Sequence, residues 1–465
     1  MTIAWHELAA ATGGTWTTQP PLYPVGVERV VDDSRRIQPG DLYIAIRGEI
    51  ADGHDFIDAA AAAGAAAICI EATRPAGRRP APKGLPVIVV GDGLLAFHRL
   101  ARTHRDQFPD LTVAAITGSS GKTSARAMLA AVCNQAWPGQ TLTTQGNTNN
   151  HFGVPRNVLR LTDQHRVAVL ELGTNHPGEI RTLARIVGAS IGIITSIGRA
   201  HLEFLGSLEG VATEKGTLLE SLPDDGIAIL PADSPQLPLL RKAAGNRRCL
   251  TFGTGHDADL RVCYEGRVGD GYAATLSWTA TAEVRQLHWA VGGAHQALNA
   301  AAAAATALAL GIDPDTVIEG LRGVELPGMR MQVQEVDGVN WVNDAYNANP
   351  ESVRASIDWF AELTGPDRTV PCFAILGDML ELGATAEAEH HDVLRQARER
   401  LPGVRLIAVG HMMTRAAAEE TDILTFTTAE TAAAWLRGRP VAGSWVLLKG
   451  SRGIHLERVL PAHPG

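Results

Sequence analysis

A glycine-rich stretch with one lysine, AITGSSGKTS (residues 115–124), has the residue types that bind nucleotide phosphates. Gly118 and Gly121 enclose only two residues, whereas the usual phosphate-binding loop reads G-x-x-x-x-G-K-[ST]. A strand is predicted over the apolar residues 113–116 and a helix from about Lys122, so the loop lies at a strand-to-helix junction. There the backbone amides and Lys122 can hold the β- and γ-phosphates while the Thr123 hydroxyl ligates Mg²⁺. A glycine–serine turn with a solvated lysine is the alternative. The residues assigned to this loop are Gly118, Ser119, Ser120, Gly121, Lys122, Thr123 and Ser124.

Three further side chains could take part in phosphate chemistry. Glu171 ends the strand-like VAVLELG (167–173), where a carboxylate can hold Mg²⁺, although a helix N-cap or a surface acid is equally plausible there. His201, in IGRAHLEFLG (197–206), follows the next strand, where an imidazole could bind metal or touch phosphate; single histidines are usually structural. Lys215, in VATEKGTLLESL (211–222), lies on a predicted helix, where a solvated lysine is the default.

The elements that must position these side chains follow an alternation of strands and helices. Residues 1 to about 108 form one such series, and the polar RTHRDQFPD (102–110) is expected to be a linker. The next series predicts a parallel doubly wound sheet with sites at the strand C-termini, and residues 258–293 predict antiparallel hairpins appended to it. A third series begins after residue 330. We therefore predict an α/β protein whose central domain carries the short P-loop and whose last domain is Rossmann-like; the three domains are 1–108, 109–325 and 326–465.

The composition of the chain excludes several classes of protein. With 465 residues, 45% hydrophobic and 20% charged, it is typical of a soluble globular protein of about three domains. Its net charge of −9 gives no electrostatic footprint for nucleic acid. We expect no signal peptide and no membrane insertion, because the start lacks a basic region and no apolar run reaches ~18 residues. Five scattered cysteines predict free thiols in a reducing cytosol.

Taken in order, these and later motifs resemble those of the Mur ligase family of ATP-dependent amino-acid and peptide ligases. The resemblance covers essentially the whole chain and begins with the short G-x-x-G-K-T and the residues Glu171, His201 and Lys215. The N-terminal DDSRRIQPGDLYIAIRGEIADGHDFI (32–57) is similar to that family's UDP-binding domain. Four stretches resemble the branch that adds D-alanyl-D-alanine to a UDP-muramoyl tripeptide: TQGNTNNHFGVP (144–155), NDAYNANPESV (343–353), LGDMLELG (376–383) and LLKGSRG (447–453).

The resemblance implies a role for each matching residue. Lys122, Glu171, His201 and Lys215 would be catalytic, and the last three would bind Mg²⁺ together with Thr123. Lys215 would do so as a carbamate, which converts a cation into an anion. Further ATP contacts would come from His295, Asn299, Arg330, Asp344, Tyr346 and Asn347. Substrate contacts would come from Ser34, Arg35, Arg47, Gly48, Asp52, Gly53, His54, Phe56, Asn147, Asn149, Asn150, Lys449, Ser451 and Arg452.

The implied reaction uses ATP and Mg²⁺ to join UDP-MurNAc-tripeptide to D-alanyl-D-alanine through an acyl phosphate, in a monomeric cytoplasmic enzyme.

Two positions depart from the family pattern: Gln296 and Ser196 stand where asparagine is common. A folylpolyglutamate or cyanophycin-type ligase shares the central ATP chemistry, but the UDP-type first domain and the GNTNN and DAYNANP stretches count against both. A nucleotide-binding regulatory protein that lost catalysis is the alternative from another class. We assign no general base, because an α-amine of pKa ~7.8 is partly unprotonated near neutral pH.

Overall fold

The computed structural model describes residues 3–18, 20, 26–73, 84–366 and 370–461. Its contacts divide the chain into two compact units. The first unit comprises Met1–Ala115, Gly139–Gly173 and Arg181–Ser190. The second comprises Ile116–Pro138, Thr174–Ile180 and Ile191–Gly465, so it contains the P-loop, His201, Lys215 and all the later candidate residues.

The N-terminal residues of the first unit form a small, mostly parallel sheet. The elements are β1 (Ile3–Ala4), α1 (Trp5–Thr12), β2 (Thr15–Trp16), β3 (Gly26–Val27), β4 (Val30–Val31), β5 (Leu42–Ile44), α2 (Ile57–Ala62), β6 (Ala67–Glu71), β7 (Val87–Val90) and α3 (Gly93–Asp106). The strand order is β2-β7-β6-β5-β4, with β2 antiparallel to β7 and the other neighbours parallel, while β1 pairs with β3. Short 3-10 turns cover Ser34–Arg36 and Gly53–Phe56.

The expectation of a linker at residues 102–110 is wrong, because α3 continues through half of that stretch. His104 is buried, and its Nε2 donates a hydrogen bond to the carbonyl of Leu161 (3.0 Å). The Arg105 guanidinium donates to the carbonyls of Phe108 (2.7 Å) and Leu111 (3.2 Å). Polar side chains that satisfy backbone carbonyls inside a core have the same sequence signature as solvated ones.

The middle of the chain carries the strands that lead to the candidate site. The elements are β8 (Thr112–Thr117), α4 (Lys122–Ala136), β9 (Thr141–Thr143), α5 (Gly153–Val158), β10 (Val167–Glu171), α6 (Glu179–Val187), β11 (Ile191–Ile194), α7 (Leu202–Leu205), α8 (Leu208–Glu220), β12 (Ile227–Pro231), α9 (Leu237–Ala244), β13 (Arg248–Gly253), β14 (Leu260–Val268), β15 (Gly271–Trp278), β16 (Glu283–Trp289), α10 (Ala294–Ala309) and α11 (Pro314–Arg322). Within the first unit β9 pairs in parallel with β10, and within the second unit β11 to β14 run parallel. Strands β14, β15 and β16 are antiparallel, as the glycine-punctuated pattern predicts.

Small residues allow the helices beside the P-loop to pack closely. Residues 299–307 of the alanine-rich α10 are all buried. At Gly320 in α11, an added Cβ would lie 2.6 Å from the Cα of Val132 in α4. Within the described ranges, no helix combines the length and hydropathy needed to cross a bilayer.

The C-terminal elements form a six-stranded sheet with helices between its strands. The elements are β17 (Gln332–Val336), β18 (Val339–Asn343), α12 (Pro350–Thr364), β19 (Cys372–Gly377), α13 (Ala386–Arg400), β20 (Arg405–Val409), α14 (His411–Ala416), β21 (Leu424–Phe426), α15 (Ala429–Leu436) and β22 (Trp445–Lys449). Among the described strands the order is β17-β18-β22-β19-β20-β21, and only β17 is antiparallel to its neighbour. Parallel strands linked by helices confirm the α/β fold class with a Rossmann-like C-terminal part. The exact domain boundaries stay a prediction.

Candidate functional site

The P-loop turns from β8 into α4 within four residues. Gly121 has φ +84°, a left-handed conformation that glycine adopts without strain. A Cβ at Gly121 would lie 2.2 Å from Asn299 Oδ1, and a Cβ at Gly118 would lie 1.9 Å from Thr195 Oγ1. Both glycines therefore permit a backbone path that any side chain would block.

The segment that follows β11 supports the P-loop backbone. Ser119 N donates to the carbonyl of Ser196 (2.9 Å), and Ser120 N donates to Ser196 Oγ (2.9 Å). Ser119 Oγ donates to the carbonyl of Gly198 (3.0 Å) and accepts from its amide (2.9 Å), while Thr195 Oγ1 donates to the carbonyl of Ser120 (2.6 Å). Ser196, one of the two departures from the family pattern, is thus a support of the loop.

Cationic side chains lie at the end of the P-loop where α4 begins. Lys122 Nζ donates to the carbonyl of Gly118 (2.7 Å). The buried Thr123 hydroxyl accepts a hydrogen bond from Arg330 Nη2 (3.1 Å). The Arg330 guanidinium lies over the Tyr346 ring, 4.0 Å from its centroid, which is a cation–π geometry. The sequence separates Arg330 from Thr123 by about two hundred residues, and the fold brings them into contact.

A cavity of about 240 Å³ opens beside these groups. Its lining residues include Asn349 and Glu381, which were not selected from the sequence. The remainder includes seven predicted site residues: Ser119, Lys122, His201, Tyr346, Asn347, Ser451 and Arg452. The P-loop, the His201 segment and two C-terminal motifs therefore share one cavity.

His201 and Glu381 contact each other in this cavity. His201 Nδ1 donates a hydrogen bond to Glu381 Oε2, and this bond lowers the pKa of the Glu381 carboxyl. The amide of Glu203 also donates to the carbonyl of Glu381 (3.2 Å). Both His201 (φ +57°) and Glu381 (φ +65°) have left-handed backbone conformations, which are uncommon for residues with a side chain. The surrounding contacts hold these two residues in costly conformations at the same place, a pattern typical of functional sites.

Lys215 is buried, contrary to the default expectation of a solvated lysine. Its side chain is 1% exposed on α8. Burial lowers the pKa of Lys215 well below its ordinary value, and the positive charge of Lys122 lowers it further, while Glu214 opposes the shift. The Glu214 carboxylate accepts hydrogen bonds from the amides of Gly178 (2.7 Å) and Ile180 (2.8 Å). This environment favours a neutral amine at Lys215.

The start of α10 presents amide and imidazole groups. Asn299 Nδ2 donates to Gln296 Oε1 (3.0 Å). Gln296, the other residue that departs from the family pattern, therefore contacts the asparagine about one helical turn further along α10. His295 lines a separate cavity of about 740 Å³ together with Tyr264 and Trp359. Burial lowers the pKa of His295 to about 4, so its ring is neutral at physiological pH.

Asp344 and Lys449 form a buried ion pair. Lys449 Nζ lies 2.7 Å from Asp344 Oδ2, and Ser356 Oγ donates to the same oxygen. Ser451, two residues further on, accepts from the amide of Leu380 (2.9 Å). These predicted ligand contacts therefore also hold the C-terminal elements together.

In the first unit, Glu171 lies at the end of β10 and is 2% exposed. Its Oε1 accepts a hydrogen bond from Asn149 Nδ2 (2.9 Å), and its amide donates to Thr144 Oγ1 (2.9 Å). Asn150 Oδ1 accepts from the amide of Gly153 at the start of α5 (2.9 Å). The carbonyl of Asn147 accepts from the amide of Asn149 (2.9 Å). The asparagine-rich stretch thus shapes a turn around the Glu171 carboxylate.

The residues predicted to bind the UDP-sugar lie in two turns of the first unit. In the first turn, which contains Ser34, Arg35 Nη2 forms an ion pair with Asp33 Oδ2 (2.7 Å). In the second turn, Arg47 and Asp52 form an isolated antiparallel β-bridge, and Gly48 lies between them in the sequence. Gly53 follows the bridge directly, and the Phe56 side chain is exposed. The buried His54 bonds through Nδ1 to Asp52 (2.6 Å) and through Nε2 to the amide of Glu71 (3.0 Å). Both its ring nitrogens have protein partners, and its contact with substrate stays a prediction.

Sequence reasoning missed Asn349 and Glu381 as members of the site. Asn349 Nδ2 donates to Ser120 Oγ (2.9 Å), and its Oδ1 caps α12 by accepting from the amide of Ser352 (2.8 Å). An asparagine before a proline is a recognisable helix start, so the cap could have been found. No sequence pattern indicates that Glu381 lies against His201, because only the tertiary fold brings them together.

Comparisons with known proteins agree with this arrangement. Residues 27–105 match the model of the Mur ligase family catalytic domain, residues 116–307 the Mur ligase middle domain, and residues 329–452 the Mur ligase glutamate ligase domain. The chain is 35% identical to UDP-N-acetylmuramoyl-tripeptide–D-alanyl-D-alanine ligase of Escherichia coli over 94% of each chain.

Solved structures resemble the whole fold. MurF from Acinetobacter baumannii has a TM-score of 0.89 at 31% identity, covering 99% of this chain and 98% of its own. MurF ligase from Thermotoga maritima, in complex with ADP, has a TM-score of 0.80 at 28% identity, covering 93% and 96%.

Proposed function

The chain belongs to the Mur ligase family, and from that premise we propose that it is the ATP-dependent ligase that joins D-alanyl-D-alanine to UDP-N-acetylmuramoyl-tripeptide. The products are the UDP-muramoyl pentapeptide used to build peptidoglycan, ADP and phosphate. The observation that carries the proposal is the 240 Å³ cavity, where the P-loop meets the NDAYNANP and KGSR stretches. We propose a monomer that acts in the cytoplasm.

The proposed chemistry forms an amide in two steps. The terminal carboxylate of the tripeptide attacks the γ-phosphorus of ATP, giving an acyl phosphate and ADP. The amine of D-alanyl-D-alanine then attacks the acyl carbonyl, and phosphate leaves. Because the carboxylate and the triphosphate repel each other, cationic groups must surround the transferred phosphoryl group.

The protein supplies such groups at the P-loop. Lys122 Nζ donates to the carbonyl of Gly118 in the P-loop, and we assign this lysine to the β- and γ-phosphates. Arg330 lies at Thr123, and Arg452 lines the same cavity as Lys122. We assign the adenosine end of ATP to His295, Asn299 and the Asp344 region, since Asn299 abuts the P-loop at Gly121.

Mg²⁺ bound with ATP would neutralise phosphate charge. The hydroxyl of Thr123 and the buried carboxylate of Glu171 are oxygen donors of the type Mg²⁺ prefers. In the part of the chain that the structure describes, no group of three or more His, Cys, Asp or Glu side chains is arranged to hold a metal ion. We propose that the Mg²⁺ ligands are Thr123, Glu171, His201 and a carbamate on Lys215. The low pKa of the buried Lys215 supports carbamylation, because CO₂ reacts with the neutral amine.

The decisive experiment incubates the protein with ATP, UDP-MurNAc-tripeptide and D-alanyl-D-alanine and follows ADP release and product mass. We expect the pentapeptide mass only when all three substrates are present. ATP turnover with a folate and glutamate instead would favour the folylpolyglutamate alternative. ATP binding without turnover under any condition would favour a regulatory protein.

A further inference from the structure

The segment Thr195–His201, here called the β11–α7 loop, contacts the P-loop at its start and the C-terminal elements at its end. Thr195, Ser196 and Gly198 bond to the P-loop serines. The other end, at Arg199 and His201, bonds to residues of α12, α13 and the stretch between β19 and α13. One short loop therefore joins the phosphate-binding part to the part that carries the NDAYNANP motif.

Arg199 makes most of the ionic contacts of this loop. Its amide donates to Glu351 Oε2 (3.0 Å), and its Nη1 donates to Glu351 Oε1 (3.2 Å). Its Nε lies 2.9 Å from Glu389 Oε1, and the other oxygen of Glu389 pairs with Arg354 Nη2 (2.9 Å). Two guanidinium groups and two carboxylates thus form one neutral cluster between the loop and helices α12 and α13.

Glu389 is better shielded from solvent than a carboxylate in an ordinary surface pair, whereas the Arg199 and Glu351 side chains are 40% and 37% exposed. The Glu389 side chain is only 10% exposed, so its carboxylate is shielded from solvent screening. At Gly198, an added Cβ would lie 2.9 Å from Glu351 Cδ, which leaves no room for a side chain beside the carboxylate. Charged groups in a network of this kind fix geometry more firmly than isolated pairs do.

Arg199 does not line the cavity, whereas its neighbours Ala200 and His201 do. We propose that Arg199 is a positioning residue: it fastens the β11–α7 loop to α12 and α13, and so limits the entry of water into the cavity while the acyl phosphate exists. This inference rests on the proposed ligase function. Arg199 acts through the loop and not by touching a substrate.

The consequence is a specific failure when Arg199 is removed. In a loosened cavity, water attacks the acyl phosphate in place of the amine. The attack regenerates the tripeptide carboxylate and releases phosphate, so each event consumes one ATP and one water without forming an amide. Exclusion of water from reactive intermediates is a general reason for closing an active site.

The test measures phosphate released per pentapeptide formed by the full-length protein with all three substrates. We expect about one phosphate per amide for the unaltered chain, from the reaction stoichiometry, and at least about twofold more for Arg199→Ala, because water competes with the amine. Arg285→Ala is the matched control, since Arg285 pairs with Asp315 (2.6 Å) on β16 and α11 and lines neither cavity. Its ratio should stay at about one, the stoichiometric value.

Two further variants separate positioning from general destabilisation. Arg199→Lys offers one ammonium to two carboxylates, so its ratio should lie between those of the unaltered chain and Arg199→Ala. Glu351→Gln removes one carboxylate charge and should also raise the ratio. A lower melting temperature with an unchanged ratio would overturn the inference, because loss of stability alone does not divert the intermediate to water. If the unaltered chain made no pentapeptide, the proposed function itself would be refuted.

Discussion

Two lysines near the P-loop differ in their surroundings, and therefore in the chemistry each can do. Lys122 is hydrogen-bonded to the loop carbonyl of Gly118 and lines the cavity. Lys215 lies on α8 with its side chain buried. Burial lowers the pKa of Lys215 most, and the positive charge of Lys122 lowers it further. A charged lysine suits phosphate binding, whereas a neutral one suits reaction with CO₂.

Replacing Lys122 by alanine should lower turnover by roughly 10²-fold or more, because a charge-assisted contact to the developing phosphate charge is lost. The change should leave the fold intact, as judged by circular dichroism. The matched control is Lys242→Ala, which removes an exposed lysine from α9. Near-normal turnover in a folded Lys122→Ala protein would contradict the assigned role.

Lys215→Ala should bind ATP yet be nearly inactive, because the carbamate oxygens are missing. Added acetate or formate should restore part of the rate by supplying carboxylate oxygens in the vacated space. Lys215→Arg keeps a positive charge and cannot be carbamylated, so the same acids should not restore it. The measurement is the initial ligation rate with and without the acid, and full activity in Lys215→Arg would rule out the carbamate.

At the scale of elements, the short P-loop depends on what packs against it. Asn299 from α10, Thr195 and Ser196 from the β11–α7 loop and Asn349 from the start of α12 all contact residues 118–121. The loop conformation is therefore fixed by three separate elements. A change in any one of them acts on phosphate binding through the backbone.

Gly121→Ala should weaken ATP binding by at least about tenfold, because a left-handed residue with a side chain is strained by about 1–2 kcal/mol and the new Cβ also meets Asn299. Calorimetric titration with ATP measures the effect. Gly139→Ala is the control: its φ is +73° but no atom lies within 4 Å of an added Cβ. It introduces a similar strain outside the P-loop, so ATP affinity should not change; an equal loss in Gly139→Ala would show that the effect of Gly121→Ala is not local to the P-loop.

At the scale of the whole molecule, buried neutral histidines occur in both units. Burial lowers the pKa of His104 in the first unit and of His390 in the second. His390 Nδ1 donates to the carbonyl of Ala386 (2.6 Å), and its Nε2 accepts from the amide of Met379 (2.9 Å). Protonation of Nε2 would break the second bond, so the folded state requires the neutral ring.

These histidines should make the protein less stable in mild acid. Their folded-state pKa values lie below the unfolded value of about 6.5, so the unfolded state binds more protons as the pH falls past that value. The free energy of unfolding should then decrease by up to about 1.4 kcal/mol per pH unit for each such histidine. Melting temperatures measured between pH 7.5 and 5.0 test this prediction. Most carboxylates titrate below this pH range and contribute little to the slope. His104→Gln should reduce the slope, whereas replacement of the exposed His256 by asparagine should not.

The order of strands and helices and the position of the P-loop could be predicted from the amino-acid sequence alone. Apolar runs such as residues 113–116 become buried strands because a parallel sheet covered on both faces excludes polar side chains. Gly118 and Gly121 could be recognised because their backbone path leaves no room for a side chain, and Lys122 because a lysine follows the second glycine in phosphate-binding loops. The ordered motifs also indicated the family, because their residue types and their order along the chain resemble those of the Mur ligases.

Which polar residues contact each other could not be predicted from the sequence, because these contacts depend on the folded chain. The stretch 102–110 has the composition of a linker, yet His104 and Arg105 are buried because their hydrogen bonds to distant carbonyls offset the cost of desolvation. The contact of His201 with Glu381 and the ion pairs of Arg199 join residues about 150 to 190 positions apart, and no local pattern encodes such pairs. Lys215 has the sequence surroundings of a surface lysine, and its burial follows from how α8 packs, which is a property of the folded chain.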